Sequence, residues 1–184
     1  IIIEEALNKD VKSFSNWRIK EFVDEVSRKS PTPGGGSISA LAGSLSASLA
    51  LMALNLSDVK KIEAEGLKLS SIKSQLLSLV DEDAKAFDKV MKAFSLPKKT
   101  DKDKIERDKE IEKAYIAAVS TPMSILEQSS HILLLIKRMY KNINSNCMSD
   151  LGVAIELASA SINGAIMNIK INLSEIENKS YRKK

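Results

Sequence analysis

The chain is organised around the stretch Ser30-Pro31-Thr32-Pro33-Gly34-Gly35-Gly36-Ser37 and the apolar segment 38–56 that follows it. Two prolines disfavour a helix before this point, and three glycines allow backbone conformations that other residues resist. A glycine-rich turn that opens a helix exposes free backbone N–H groups at the positive end of the helix dipole. The stretch therefore predicts a turn and then a helix whose start suits a carbonyl, a carboxylate or a phosphate.

The segment after the turn predicts a central helix from Ser37 to about Ser57. Small residues share one face of it, where neighbouring helices can approach closely: Ala40, Gly43, Ala47 and Ala50. Larger apolar residues occupy the other faces, so the helix is expected to be buried on several sides. A membrane-spanning helix is the alternative, but the serines within the segment and the lack of flanking aromatic residues favour burial inside a protein.

Composition limits the class of protein. The 184 residues are 43% hydrophobic but only 4% aromatic, so aliphatic side chains must build the core. The net charge of +4 comes from lysines interspersed with acidic residues, which is not the pattern of a nucleic-acid-binding arm. Cys147 is the one cysteine, so no intrachain disulfide can form, and no stretch resembles a signal peptide. We expect a cytoplasmic protein that binds neither nucleic acid nor membrane.

Helical periodicity continues through the rest of the chain, and no strand pattern occurs. We predict an all-α fold, a multihelical bundle with an antiparallel up-and-down core built around the buried small-residue helix. Residues 1–184 are expected to form a single domain, with 1–16 and 174–184 peripheral. Four other helices are predicted. The first is Trp17–Lys29, capped by Asn16, and the second is Lys60–Phe94. The third is Asp101–Val119, which kinks or restarts at Thr121-Pro122 and continues to Tyr140, and the fourth runs from Asp150 to Leu173 and is capped by Ser149.

A carboxylate interrupts the apolar stripe of the Lys60–Phe94 helix. Asp83 lies in line with Leu76 and Phe87, whereas its neighbours Asp81 and Glu82 are expected to be solvated. A carboxylate on a core-facing line must find hydrogen-bond partners or shift its pKa. Asp83 is therefore either bonded to a nearby helix terminus or a functional acid.

Several common kinds of catalytic site are absent from the sequence. There is no HExxH, no CxxC and no Gly-Lys-Ser/Thr to close the glycine run as a nucleotide-binding loop. With one histidine and one cysteine, no metal site is expected.

The order of several short motifs resembles the cyclodeaminase/cyclohydrolase family. That family comprises the C-terminal domain of formiminotransferase-cyclodeaminase and stand-alone methenyltetrahydrofolate cyclohydrolase-like proteins. The resemblance runs from about Trp17 to Leu173, and the Pro-Gly-Gly-Gly-Ser motif is its most specific part. The motifs are Pro31 to Ser37 before a helix ending Leu51-Met52, Asp83-Ala84 with Phe87, Val90 and Met91, Leu96-Pro97-Lys98, Arg107, Pro122, Asn146 with Ser149-Asp150 and Val153-Ala154, and Asn168 with Asn172.

The resemblance implies an all-helical homodimer with a folate site near the dimer interface. The expected substrate is a tetrahydrofolate derivative, with no covalently bound cofactor. The reaction is expected to be either cyclisation of 5-formiminotetrahydrofolate to the 5,10-methenyl form with release of ammonia, or hydrolysis of the methenyl form to 10-formyltetrahydrofolate. The alternative is a folate-binding or scaffold dimer without catalysis.

Both reactions need proton transfer at a nitrogen and stabilisation of a tetrahedral carbon. We predict Asp83 as the general acid/base and Asp150 as the second catalytic carboxylate. The alternatives for Asp150 are that it orients a partner or caps its helix. The glycine turn would offer backbone and hydroxyl donors, amides and a hydroxyl would bond the pterin edge, and basic residues would meet the glutamate tail. The predicted substrate-binding residues are Pro33, Gly34, Gly35, Gly36 and Ser37, then Asn146, Ser149, Asn168 and Asn172, and finally Lys98, Lys99 and Arg107 for the tail.

Overall fold

The computed structural model describes residues 13–57 and 63–176, which form five α-helices. Short 3-10 turns lie at Phe14–Asn16, Tyr140–Asn142 and Ser145–Cys147, and no strand occurs within the described ranges. The helices are α1 (Ile19–Val26), α2 (Gly35–Asn55), α3 (Glu63–Phe94), α4 (Asp101–Met139) and α5 (Met148–Ser174).

The four long helices form a ring in which consecutive helices run antiparallel. α2 packs against α3 and α5, and α4 packs against the same two helices from the other side. The predicted all-α, up-and-down bundle is therefore confirmed. Its core is aliphatic, with Leu69, Leu76, Ile125, Ile132 and Met139 fully buried.

The small-residue face of α2 is buried as predicted. Ala40, Ala47 and Ala50 have no exposed surface, and a Cβ on Gly43 would lie only 2.8 Å from the hydroxyl oxygens of both Ser129 and Ser161. Any larger side chain at position 43 would push α2 away from α4 and α5.

Buried serine hydroxyls tie α2 to both of its neighbours. Ser37 Oγ donates to the carbonyl of Val80 at 3.0 Å, and Ser44 Oγ donates to that of Lys73 at 3.0 Å, both on α3. On the α5 side, Ser46 Oγ donates to the carbonyl of Ala154 at 2.6 Å. Ser161 Oγ of α5 in turn donates to the carbonyl of Ser39 at 2.6 Å.

α2 is buried on several sides, as predicted, but one of its faces is exposed. Ile38, Leu45, Met52 and Leu56 are all more than a third exposed, because no described element covers that side of the ring. Among the described residues, two segments are long and apolar enough to span a membrane by length and composition, namely Gly35–Asn55 and Ser145–Ser174. The most apolar 18-residue stretch of the first is 56% buried, and that of the second is 22% buried.

The beginning of the described chain differs from the prediction. Asn16 lies within a 3-10 turn and does not cap α1, which begins at Ile19 and is shorter than predicted. Residues 13–16 are not peripheral, because Ser13 and Ser15 donate from their hydroxyls to Asp81 at 2.7 and 2.8 Å. Asp81 is therefore a partner of this segment rather than a solvated side chain.

α4 does not restart at Pro122, in contrast to the prediction. It is one helix of 39 residues with Pro122 buried in its interior. Proline lacks an N–H, so it leaves the carbonyl four residues earlier, that of Ala118, without its helical donor. Asn172 Nδ2 of α5 donates to this carbonyl at 3.1 Å, which allows the helix to continue.

α5 begins two residues earlier than predicted. Its N-cap is Cys147, so Ser149 lies in the first turn and does not cap the helix. The turn before it is closed by Asn144, whose side-chain oxygen accepts from the N–H of Asn146 at 3.0 Å. Asp150 lies in the first helical turn, where a carboxylate suits the dipole.

α2 begins well inside the length of the bundle. α3 continues for about 16 Å beyond Asp83, which lies beside the start of α2. α4 and the end of α5 also extend beyond the first residue of α2. α3, α4 and α5 therefore surround a space in line with α2, in front of its first residue. Of the described residues, the turn before Gly35 is the part that enters this space.

Candidate functional site

A cleft of about 380 Å³ occupies this space at the start of α2. Its size is in the range of ligand-binding pockets. All three surrounding helices and the glycine turn line it: Pro31, Thr32, Gly34, Gly35, Gly36, Asp83, Ala86, Phe87, Val90, Tyr115, Ala118, Asn168, Ile171, Asn172 and Glu175.

Asp83 caps α2 from the neighbouring helix. Its Oδ2 accepts from the backbone N–H of Ser37 at 2.8 Å and from the hydroxyl of the same residue at 3.0 Å. Gly34, the N-cap of α2, has no side chain to do this, so a carboxylate from α3 satisfies one of the free N–H groups. The carboxylate of Asp83 consequently occupies the N–H of Ser37 in the first turn of α2.

The pKa of Asp83 is raised above 3.8 because burial disfavours the charged form. The two hydrogen bonds from Ser37 act in the opposite direction and do not cancel the effect of burial. A carboxylate with a raised pKa is better suited to exchange protons near neutral pH than an ordinary surface aspartate.

Gly36 lets the carboxylate of Asp83 lie directly on the backbone of α2. A Cβ on Gly36 would collide with this carboxylate, whereas a Cβ on Gly35 would lie 3.5 Å from Nδ2 of Asn168, which is an ordinary contact distance. Glycine at position 36 therefore serves the close approach of a side chain from α3 to the first turn of α2.

Two amides from α5 lie beside the carboxylate. Asn168 Nδ2 donates to the carbonyl of Gly164 at 2.8 Å, and Asn172 Nδ2 donates to that of Ala118. Each amide uses one N–H in this bond, so its side-chain oxygen and its second N–H are left for a ligand. The amide of Asn172 thus has a structural partner that the sequence did not reveal.

The structure adds residues that the sequence did not single out. Tyr115, which periodicity placed on the apolar side of its helix, lines the cleft, and so do Phe87, Thr32 and Glu175. Burial, and then the negative charge of Glu175, raise the pKa of Tyr115 above 10.0, so its phenol is a neutral donor at physiological pH.

The charged side chains that line the cleft are acidic. Its ionisable acids are Asp83 and Glu175, and no Lys, Arg or His lines it within the described part of the chain. Such a lining repels anions and favours a ligand whose reacting part is cationic or neutral.

Two predicted contact residues lie behind the cleft. Ser37 is fully buried. Its N–H donates to Asp83, and its hydroxyl lies within hydrogen-bond distance of Asp83 and of the Val80 carbonyl, so Ser37 positions the carboxylate. Pro33 is also buried and does not line the cleft, whereas Pro31 and Thr32 do.

The predicted basic residues lie outside the cleft. Lys98 and Lys99 are exposed in the loop between α3 and α4. Arg107 packs over the ring of Phe94 at 5.3 Å and donates from Nε to the carbonyl of that residue at 3.2 Å. Phe94 meets the edge of Tyr115 with ring centroids 6.3 Å apart, so an aromatic pair connects Arg107 to the cleft wall.

Asn146, Ser149 and Asp150 do not join Asp83 within one chain. They lie at the start of α5, whereas Asn168 lies near its end, and the rise from Asp150 to Asn168 is about 27 Å. Within one chain these residues therefore do not form a single pocket with Asp83, because α5 is a continuous helix between them.

The residues that the structure describes do not form a metal centre. Within residues 13–57 and 63–176, no group of three or more His, Cys, Asp or Glu side chains is placed to hold a metal ion.

Comparison with known proteins places this architecture in a family. Residues 18–184 match the family model described as formiminotransferase-cyclodeaminase. The chain belongs to this family. A methenyltetrahydrofolate cyclohydrolase of Methylorubrum extorquens is 31% identical over 174 residues, covering 90% of this chain and 84% of that protein.

Further relatives of the formiminotransferase-cyclodeaminase family include larger proteins. The formimidoyltransferase-cyclodeaminase of Sus scrofa is 30% identical over 172 residues, which cover 89% of this chain but 32% of that protein. The crystal structure of a formiminotetrahydrofolate cyclodeaminase from Thermotoga maritima superimposes with a TM-score of 0.79 at 29% identity, covering 91% of this chain and 84% of that one.

Proposed function

We propose that this chain is a one-carbon folate enzyme that acts on the carbon linking N5 and N10 of tetrahydrofolate. The reaction is either cyclisation of the 5-formimino form to the 5,10-methenyl form or hydrolysis of the methenyl form to 10-formyltetrahydrofolate. The observation that supports this most is the buried carboxylate in a cleft without basic residues. The formimino group and the methenyl bridge are both amidinium-type cations, and a carboxylate complements them.

Asp83 has the properties that either reaction requires of an acid/base. In hydrolysis, water adds to the bridging carbon and loses a proton, and the bond to N5 then breaks as N5 gains a proton. In cyclisation, N10 adds to the formimino carbon and loses a proton, and the amino group gains one before it leaves as ammonia. One carboxylate with a raised pKa can accept and return the proton in both sequences.

The remaining polar groups of the cleft suit a pterin. The side-chain oxygens of Asn168 and Asn172 can accept from its N–H groups, and the neutral phenol of Tyr115 can donate to a ring nitrogen or carbonyl. Phe87 and Val90 offer apolar contact to the ring faces.

The glutamate tail of folate would extend along the α3–α4 hairpin. Arg107 lies about 12 Å along α4 from Tyr115, held by the ring of Phe94, and its guanidinium suits a carboxylate. Lys98 and Lys99 lie in the exposed loop beyond it. A cytoplasmic location is part of this proposal and is supported by the single cysteine, Cys147.

The test follows the absorbance band of methenyltetrahydrofolate with purified protein. Loss of the band in water indicates hydrolysis, and its appearance from the formimino substrate with release of ammonia indicates cyclisation. Folate binding by calorimetry with neither change would replace this proposal with the folate-binding alternative, and absence of binding would leave the scaffold alternative.

A further inference from the structure

A second cavity, of about 400 Å³, lies in the groove between α3 and α4. Three apolar and three basic side chains line it, together with one serine: Ile72, Leu134, Leu135, Lys68, His131, Arg138 and Ser71. We call this cavity the α3/α4 groove. None of its residues lines the cleft at the start of α2, so the groove is a separate site.

The segments around the α3/α4 groove carry no acidic residue. Residues 66–80 of α3 and 128–139 of α4 contain four Lys or Arg residues, one His and no Asp or Glu. Glu65 and Glu127 flank these ranges, but neither lines the groove. Elsewhere the lysines of the chain are interspersed with acids, so the groove is a local concentration of positive charge that favours an anion.

The basic side chains of the groove have no partner among residues 13–57 and 63–176. Lys68, His131 and Arg138 form neither an ion pair nor a side-chain hydrogen bond within these ranges. In contrast, Lys113 of α4 pairs with Glu110 at 2.9 Å. Ammonium and guanidinium groups carry only donors, so the described residues leave all the donors of these groups to a ligand.

The antiparallel arrangement of α3 and α4 puts two of the cations at the same end of the groove. Gly43 of α2 lies against both Leu76 of α3 and Ser129 of α4, so these two residues lie at one level of the bundle. Lys68 lies about 12 Å along α3 from this level, and Arg138 lies about 13 Å along α4 in the same direction. The ammonium and the guanidinium therefore belong to one end of the groove.

Apolar side chains occupy the middle of the groove. Ile72 lies about 6 Å along α3 from Lys68, and Leu134 lies about 6 Å along α4 from Arg138. Ile72 is buried, whereas Leu134 is 51% exposed and offers its side chain to a ligand. His131 lies about 10 Å along α4 from Arg138 and borders the far end.

This order of groups selects the chemistry of the ligand. A carboxylate beside an ammonium and a guanidinium gains charge-assisted hydrogen bonds, and the planar guanidinium can bind both of its oxygens. An alkyl chain attached to the carboxylate would cover the apolar middle and remove it from water. An inorganic anion would leave the apolar side chains exposed, and a neutral apolar molecule would leave the cations without a partner.

We propose that the α3/α4 groove binds a free carboxylic acid with an alkyl chain. The carboxylate lies between Lys68 and Arg138, and the chain covers Ile72 and Leu134 and extends toward His131. The imidazole ring has an apolar body and contacts the end of the chain. This site goes beyond the proposed folate reaction and does not depend on it, because it shares no residue with the cleft.

The first experiment titrates the full chain with decanoate, below its micelle concentration, by calorimetry. The wild type is expected to bind one decanoate saturably, and Arg138→Ala should weaken binding about tenfold or more, because hydrogen bonds between charged groups are lost. Lys137→Ala is the matched control, since it removes the same charge but lines the cavity between α4 and α5, and it should change the affinity by less than about twofold. An equal loss in both variants, or no saturable binding to the wild type, would overturn the proposal.

The second experiment separates the contribution of the chain from that of the charge. Affinity for the wild type should rise from acetate through hexanoate to decanoate, by up to about fourfold for each CH₂ that is buried. Decanol and inorganic phosphate should bind more weakly than decanoate. Leu134→Ser should flatten the series, whereas Met123→Ser, at a position of α4 that is 49% exposed and outside the groove, should not. Equal affinities for decanol and decanoate, or an unchanged series in Leu134→Ser, would contradict the proposed position of the chain.

The third experiment distinguishes a free acid from a membrane surface. The protein is mixed with phosphatidylglycerol vesicles and floated on a density gradient. The wild type is expected to stay out of the vesicle fraction, which together with saturable decanoate binding supports a site for a free acid. Flotation of the wild type that Arg138→Ala abolishes and Lys137→Ala preserves would assign the groove to anionic lipid headgroups and would exclude the proposal.

Discussion

Asp83 uses its two carboxylate oxygens in different ways. Oδ2 holds the first turn of α2 through Ser37, and Oδ1 lies where a side chain on Gly36 would be, at the edge of the cleft. The same residue therefore stabilises the helix that shapes the site and presents a carboxylate to a ligand. Its interruption of an apolar stripe is visible in the sequence, whereas its partner Ser37 is not, because pairing between helices depends on their register.

Asp83→Asn is expected to lower the turnover rate by about 10²–10⁴-fold, the usual contribution of a general acid/base. The fold should persist, because an amide oxygen can still accept from the N–H of Ser37. Steady-state kinetics on the proposed folate substrates would measure the effect. Asp81→Asn, two residues away and bonded to Ser13 and Ser15, is the control and should keep the wild-type rate. A wild-type rate in the Asp83 variant would leave Asp83 as a helix cap only.

The pKa of Asp83 also predicts how stability varies with pH. Because its pKa is higher in the folded than in the unfolded protein, the folded state binds the proton more tightly. This contribution is present below about pH 3.8 and is lost as the pH rises through the folded-state pKa. The wild type should therefore lose unfolding free energy relative to Asp83→Asn as the pH rises from 4 to 7. Urea titration of both proteins measures this difference. A constant difference across this range would contradict the assigned shift.

At the scale of elements, Pro122 and Asn172 form a compensating pair. Proline removes a hydrogen bond from α4, and an amide from α5 replaces it at the same carbonyl, that of Ala118. Periodicity suggested a break at Pro122 because a sequence shows the missing N–H but not the donor that comes from another helix. The pair also fixes α5 beside the cleft.

Asn172→Ala should cost about 1–3 kcal/mol of unfolding free energy, since it leaves the Ala118 carbonyl without a donor. In a Pro122→Ala background the backbone N–H returns, so the same substitution should cost less than about 1 kcal/mol. Chemical denaturation of the four proteins gives the coupling energy. Equal costs in both backgrounds would mean that the Asn172 amide does not replace the lost bond.

At the scale of the whole molecule, no element among residues 13–57 and 63–176 covers one side of α2 and α5 in the ring of four helices. If two chains cover these faces mutually, folding and association are linked, and the Tm depends on protein concentration. The Tm of the wild type should rise with concentration over a hundredfold range, and that of Leu45→Glu should stay constant. Scanning calorimetry measures both, and a constant Tm for the wild type would argue against a dimer that dissociates on unfolding.

Much of this architecture could be predicted from the sequence, and the reasons differ between features. The helices follow from apolar periodicity, and the close-packed face of α2 follows from the spacing of Ala40, Ala47 and Ala50, which are fully buried. The motif order pairs Asp150 with Asp83 because a motif does not show how far a helix separates its parts. Periodicity does not reveal Tyr115 as a cleft residue, because a side chain lining a cleft has the same periodicity as one packed inside.

The buried hydroxyls of α2 have a consequence for motion. Ser37 and Ser44 bond to α3, and Ser39 and Ser46 meet α5, each pair seven residues apart. A slide of α2 along its neighbours would break these four interhelical hydrogen bonds together. Ratcheting of α2 past α3 and α5, as in some switching proteins, would therefore require all four bonds to be remade at once.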